Sequence, residues 1–266
     1  MKSERETPVL TVVIPVWDEY VALLPRCLDA IQQQDTPAQL VIVDNASRTP
    51  VHAPDGAVLV KLATRQSVGA ARNAGLQHVT TPYVVFADAD DEVAPGSLAR
   101  GIALLDKHPN APGVFGRSLV DEQGAHRRGI TPSTRYQLAS RYAPPVVPLL
   151  WLAKFQGSIT STVLRTETVR AAGGFADSNI NEDWQLAARL ARHGQLVCID
   201  RPVRIYHRHP DALRTRDRHP TTSSGRSLIC SDCRADPSAT PAQKLAAAIL
   251  ARSHAPTATR SLFTSH

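Results

Sequence analysis

The run VVFADADDEV, residues 84–93, places Asp88, Asp90, Asp91 and Glu92 directly after an apolar stretch from Tyr83 to Ala87. Carboxylates this close repel one another and resist full ionisation. Two kinds of chemistry answer that repulsion. One acid can cap a following helix on a solvated turn. Alternatively a divalent cation sits among them, as Mg²⁺ and Mn²⁺ do when held by one or two carboxylates plus substrate phosphates and water. Capping accounts for one acid and not for the cluster. A second acidic pair, Glu182 and Asp183 in NEDW, stands at a predicted helix start. Asn181 suits the N-cap there, and the helix dipole favours both acids. That dipole should lower the pKa of Asp183. Arg72 lies in SVGAARNAG, a Gly-rich helix start that could receive an anion with Arg72 on a phosphate, or leave Arg72 on a solvated face. Neither G-x-G-x-x-G nor the P-loop pattern is present. His207 and His209 in YHRHP would share one face of a strand, as a metal site or as a surface pair. Cys230 and Cys233 form a single C-x-x-C without a convincing second ligand pair for zinc.

These residues need a scaffold. LTVVIPV from Leu10 is a near-continuous apolar run, the pattern of a strand buried on both faces. Pro15 cannot donate to a ladder, so this strand should end near Ile14. Tyr20, Leu23, Leu24, Cys27, Leu28 and Ile31 follow with helical spacing, and Pro25 makes that helix start late or kink. LVIVD, AVLVKL and YVVFA read as further strands, SVGAARNAGLQHV as a helix, and GSLARGIALLDKH as a helix opened by Pro95. Alternating strands and helices over the first 110 residues imply a mostly parallel, doubly wound α/β sheet. GVFGRSLVDEQG looks like a strand entering a turn, GSITSTVLR is strand-like, and TETVRAAGGF is a short helix stopped by Gly173 and Gly174. NEDWQLAARLARHG is a bounded helix, followed by two short strands, LVCID and VRIYH. The Pro-rich stretch Thr131 to Phe155 has no clear assignment. After about Leu213 the composition turns to Ser, Thr, Pro, Arg and His, so residues 214–266 read as a largely disordered tail. In an open α/β sheet, ligands bind beyond the carboxyl ends of the strands. Trp17, Asp18 and Glu19, then Asp44 and Asn45, then the acidic cluster should therefore open onto one crevice.

Composition narrows the function classes. The 266 residues are 42% hydrophobic with a formal charge of +6 and a pI near 9.4, a balance that suits anionic ligands. Aromatics at 5% leave no base-stacking platform for single-stranded nucleic acid, so no nucleic-acid partner is expected. The N-terminal MKSERETPVL lacks an apolar signal region, and no apolar window is long enough for a membrane span. Four cysteines in this pattern make no disulfide framework, and a reducing cytoplasmic setting is the default expectation.

Taken in order, TVVIPVWDEY, VIVDNAS, SVGAARNAGL, VVFADADDEV, VLRTETVRAAGGF and NEDW resemble the family 2 glycosyltransferases, over about the first 210 residues. The resemblance implies the GT-A fold: a Rossmann-like, mostly parallel sheet flanked by helices, with a nucleotide-binding half (1–110) and a smaller mixed acceptor half (111–213). It implies an inverting transfer from a nucleotide-diphosphate donor, most simply a UDP-sugar, to an acceptor hydroxyl, with Mn²⁺ or Mg²⁺ as cofactor. By that resemblance Pro15, Trp17, Glu19, Asp44, Arg72 and Asp88 bind the nucleotide. Trp17 flanks the base, Asp44 reads its edge, and Arg72 lies near the base or diphosphate. Asp88 and Asp90 form the D-x-D motif, with Asp90 the direct metal ligand and His207 a further one. Asp183 is the base, with Glu182 beside it. WDEY stands where the family more usually has a Tyr-Asn pair. The acceptor is a glycan, a lipid-linked sugar or a small molecule, with residues 131–155 expected to select it. APPVVPLLWLAKF could touch the inner face of a membrane or serve as an apolar lid. A nucleotidyltransferase is the rival enzyme reading, although PVWDEY is acidic where a basic triphosphate loop would be needed. A binding-only protein is the rival outside catalysis, and intact Asp90 and Asp183 oppose it.

Overall fold

The computed structural model describes residues 7–122, 125–128, 159–207, 222–237 and 239–252. Elements are numbered along the chain. β1 (Leu10–Val16) is buried at every position. It pairs in parallel with β2 (Ala38–Asp44), Val16 opposite Asp44, and with β4 (Tyr83–Phe86), Val13 opposite Phe86. β3 (Val58–Lys61) extends the sheet beyond β2, and β8 (Leu164–Arg165) runs antiparallel beside β4. The order is β3-β2-β1-β4-β8. Alternation along the strands divides the core. Val13, Val43, Val84 and Phe86 belong to one apolar cluster, and Val12, Ile14, Ile42 and Val85 to the other.

Contrary to the expected stop near Ile14, β1 runs through Pro15 to Val16. The Val13 carbonyl accepts from Ala87 on the β4 side, and the Val16 carbonyl accepts from Asn45 on the β2 side. Alternation turns Pro15 toward β4, whose pairing with β1 ends at Val13, so its missing N–H costs the β1–β2 ladder no bond.

α1 (Leu24–Gln32) carries Pro25 in its first turn, the late start, and buries Leu24, Cys27 and Ile31. α2 is Val68–Leu76. α3 (Ser97–Lys107) starts just past Pro95, with Gly96 at the cap in the left-handed region, φ 65°. Its cap is a glycine with no side-chain bond, so none of the acids at 88–92 caps this helix.

A second sheet has the order β5-β9-β6-β7, with β5 Glu92–Val93, β6 Val114–Glu122, β7 Ala125–Arg128 and β9 Val197–His207. The two strands expected in LVCID and VRIYH are one strand, whose register against β6 shifts between Phe115 and Ser118. Of GSITSTVLR, the described residues from Ile159 on are strand only at Leu164–Arg165. Ser161 is left-handed (φ 61°), which breaks extended pairing before Leu164. α4 (Thr166–Ala171) stops at Gly173 and Gly174, with φ 79° and 67°. α5 is Glu182–His193. The stretch 131–155 lies outside the described residues.

The tail read as disordered contains two helices, α6 (Thr222–Ala235) and α7 (Pro241–Arg252). Ile229, Cys230, Cys233 and Ala247 are wholly buried in one cluster with Leu186 and Leu190 of α5. Arg192 of α5 pairs with Asp236 at 2.5 Å. Composition averages over the segment and misses these few buried contacts, which hold the helices although Leu228, Leu245 and Ile249 stay exposed.

Candidate active site

β2, β1 and β4 are adjacent and parallel, so their carboxyl ends share one edge of the sheet. After β1, Asp18 is left-handed (φ 30°). Its N–H donates to Ser47 Oγ at 3.2 Å and its Oδ1 accepts from Arg48 N–H at 2.8 Å. Ser47 N–H in turn donates to Asp44 Oδ1 at 2.8 Å. Asp18 and Asp44 thus stitch the first two loops together. Asn45, fully buried, exchanges two bonds with the backbone of Gln66, at 2.9 and 2.8 Å. Trp17 is only 7% exposed. Its ring lies 4.7 Å from that of Tyr20, and the guanidinium of Arg65 sits 4.1 Å over it. Glu19 is exposed on the same turn, whereas Pro15 is buried within β1.

The acidic cluster is neutralised from within. Arg72 donates from Nη2 to Asp88 Oδ1 and from Nη1 to Glu182 Oε1, both at 2.6 Å. Arg204 of β9 pairs with Asp88 Oδ2 and with Asp91 Oδ2, each at 3.3 Å, and hydrogen-bonds Thr160. A buried chain of alternating charge results: Glu182, Arg72, Asp88, Arg204, Asp91. Arg26 Nη2 donates to the Asp90 carbonyl at 2.6 Å, and Gln34 Nε2 reaches the carbonyls of Val93 and Ala94 at 3.3 Å. These contacts pin the turn to α1. Asp90 is half-buried beside them.

SVGAARNAG turns out to be a docking surface, and its start is not open to an anion. The N–H of Val68 donates to Asn179 Oδ1 (2.8 Å), that of Gly69 to the Ser178 carbonyl (3.2 Å), and that of Ala70 to the cap Ser67 Oγ (3.1 Å). A phosphate would find these donors occupied. Asn73 accepts from Phe175 N–H and donates to its carbonyl, both at 2.8 Å. A Cβ on Gly69 would lie 1.9 Å from the Ala176 carbonyl oxygen, and one on Gly75 would lie 2.3 Å from Val13 Cγ1. Arg72 is 3% exposed. Of the two positions expected for it, the solvated face is ruled out by this burial.

At the start of α5, Asn181 is left-handed (φ 57°) and makes no side-chain cap bond, so the predicted cap is not used. Asp183 Oδ1 accepts from the Trp184 N–H at 2.7 Å. Burial pushes the Asp183 carboxyl up, while Arg72 draws it part of the way back. The dipole-driven lowering expected from its helix position is overcome by desolvation. His207 shares Nε2 with Glu92 Oε1 at 2.6 Å and Nδ1 with Asp121 Oδ2 at 3.0 Å.

Residues 11–156 match the family model for glycosyl transferase family 2. The chain belongs to that family. Among solved structures, S. aureus TarS 1-349 in complex with UDP-GlcNAc is similar at a TM-score of 0.65 and 15% identity, covering 91% of this chain and 71% of that one. Mannosyltransferase PcManGT from Pyrobaculum calidifontis, in complex with GDP-Man and Mn²⁺, is similar at a TM-score of 0.61 and 21% identity, covering 93% and 70%. No curated protein matches in sequence. This glycosyltransferase therefore has the expected GT-A architecture, with its parallel sheet and its smaller mixed sheet.

The metal expectation for this family 2 glycosyltransferase can be tested on its donors. Both oxygens of Asp88 face guanidinium groups, and both nitrogens of His207 face carboxylates. Neither is placed as an open ligand. Among the described residues no group of three or more His, Cys, Asp or Glu is arranged to hold a metal ion. Asp90, half-buried in the turn after β4, fits the other way of holding Mg²⁺ or Mn²⁺, with one carboxylate completed by substrate phosphates and water. Arg204 and Arg26 were missed in the sequence. Arg204 left a signal: an Arg between Val203 and Ile205 in an apolar strand is a buried charge that needs an acid.

Proposed function

We propose that this glycosyltransferase moves a sugar from a nucleoside-diphosphate donor, in the first instance a UDP-sugar, to an acceptor hydroxyl with inversion. The observation that carries this reading is the ion chain that brings Glu182 and Asp183, at the start of α5, to the acids that end β4. The cluster follows β4, which lies beside β1, and the nucleotide would lie beyond the carboxyl ends of β1 and β2. Trp17 and Arg65 would flank the base, with Asp44 at its edge and Glu19 at the rim. Asp183 takes the acceptor proton as the hydroxyl oxygen bonds to the anomeric carbon, and the bond from that carbon to the diphosphate oxygen breaks on the opposite face. A carboxylate whose pKa is pushed up is a better base than one at its ordinary value, so desolvation at Asp183 serves the step. Asp90 would hold a divalent cation, which supplies positive charge to the departing diphosphate.

The likeness to structures holding UDP-GlcNAc and GDP-Man supports a nucleotide-sugar donor without choosing the base. The acceptor falls within glycans, lipid-linked sugars and small molecules. Among the described residues no helix is long and apolar enough to cross a membrane. The test is a screen of UDP- and GDP-sugars for hydrolysis and for thermal stabilisation, with Mn²⁺ and with EDTA. A bound nucleotide at 100 times its Kd should add about 2.7 kcal/mol. Turnover that needs Mn²⁺ supports the reading. No binding and no hydrolysis with any donor refutes it.

A further inference from the structure

The family reading gives Arg72 to the nucleotide, but its surroundings point elsewhere. Its two terminal nitrogens are committed to Asp88 and Glu182 at 2.6 Å each. A diphosphate that drew it away from them would strand Glu182, which is 7% exposed, without its cation. Its helix has no slack to follow a ligand. α2 is held to the sheet through Gly75 against Val13 and Val43. It is held to the segment leading into α5 through Ser67–Asp177, Val68–Asn179 and Asn73–Phe175.

We propose that Arg72 is a positioning residue of the transfer reaction: by gripping Glu182 and Asp88 together, it fixes the base-bearing start of α5 at the donor-side end of β4. This rests on the transferase reading above. Asp183 is the neighbour of Glu182 in sequence and follows it in space. Four charged groups bear on Asp183: Arg72 from α2, Arg204 from β9, Asp88 from the end of β4, and Glu182 from its own helix. Of the two arginines, Arg72 has the larger hold on it. Arg72 therefore sets both where the base stands and the pH at which it ionises.

The test compares wild type with R72K, R72M and E182Q by melting temperature, UDP–Mn²⁺ affinity, kcat, and the pH profile of kcat. A lysine keeps the charge but cannot span two carboxylates as a fork does. R72K should melt as a folded protein, bind UDP–Mn²⁺ like wild type, and lose kcat by roughly 10–10²-fold, the scale of a misplaced reacting group. In R72M the acid limb of kcat should move to higher pH, because the burial of Asp183 is no longer opposed. R72M combined with E182Q should be no slower than R72M. Loss of UDP affinity with kcat kept at saturation would make Arg72 a donor ligand and overturn the proposal. Unchanged kcat in R72K and R72M would overturn it as well. If R72M does not fold, R72K decides. A wild-type protein that neither binds nor hydrolyses a nucleotide-sugar removes the transferase reading and this proposal together.

Discussion

At the residue scale, Asp183 sets a helix-start dipole against desolvation, and desolvation prevails. Replacing it separates chemistry from stability. On the roles proposed above for Asp183 as base and for Asp44, Asp90 and Trp17 at the nucleotide, D183N should leave nucleotide binding intact and lower transfer by about 10²–10⁴-fold, as steady-state turnover will show. The same variant should melt higher than wild type at neutral pH. A raised folded-state pKa means that the native state favours the protonated form. The carboxylate's cost is therefore absent below its unfolded value and grows as pH rises through the folded one. The gain in D183N should accordingly fade as the melt is taken down through the ordinary carboxylate range, about pH 4. Equal gains at both pH values would show that the charge is not the cause. Arg204 gives the opposite case. R204M leaves Asp91, 2% exposed, and one side of Asp88 without a cation. Breaking a buried pair costs roughly 3–5 kcal/mol, measurable by urea unfolding. The acids themselves were legible in the sequence, because like charges in a row stand out. Their arginine partners were not, because Arg72 and Arg204 come from distant segments and only folding brings them to Asp88.

Among the elements, α2 carries the most information per residue. Its helical pattern could be read directly, while the purpose of its glycines could not. A Gly-rich helix start offers free N–H groups to any oxygen, and sequence alone does not say whether that oxygen belongs to a phosphate or to the loop at Ser178 and Asn179. Gly69 tests the docking role. In G69A the added methyl meets the backbone oxygen of Ala176, which cannot rotate away. Overpacking of this kind costs about 1–3 kcal/mol, and it should also part Arg72 from Glu182. The expected outcome is a lower melting temperature together with a fall in kcat that exceeds any change in nucleotide affinity. The parallel character of the sheet was legible because strands alternate with helices over the first 110 residues. The continuation of β1 past Pro15 was not, since it depends on where β4 stops.

Across the whole molecule, the α6–α7 pair changes the picture of the chain's C-terminal part. Composition predicts a free tail, whereas these helices cover the flank of α5 opposite its acidic start, through Ile229, Cys230, Cys233 and Ala247 and the Arg192–Asp236 pair. The thiols of Cys230 and Cys233, in no disulfide, are wholly buried there, and Cys27 is equally buried under α1, its thiol pushed well up by desolvation. These thiols can act as chemical clocks for partial opening. A thiol reagent reaches Cys230 and Cys233 only when the helix pair lifts from α5, and Cys27 only when α1 leaves the sheet. Labelling under native conditions therefore reads two local opening free energies in one experiment. We expect the helix pair to open first, since it is joined to the rest through one face, whereas α1 lies over the central strands. Simultaneous labelling of all three would mean that the chain opens as a single cooperative unit.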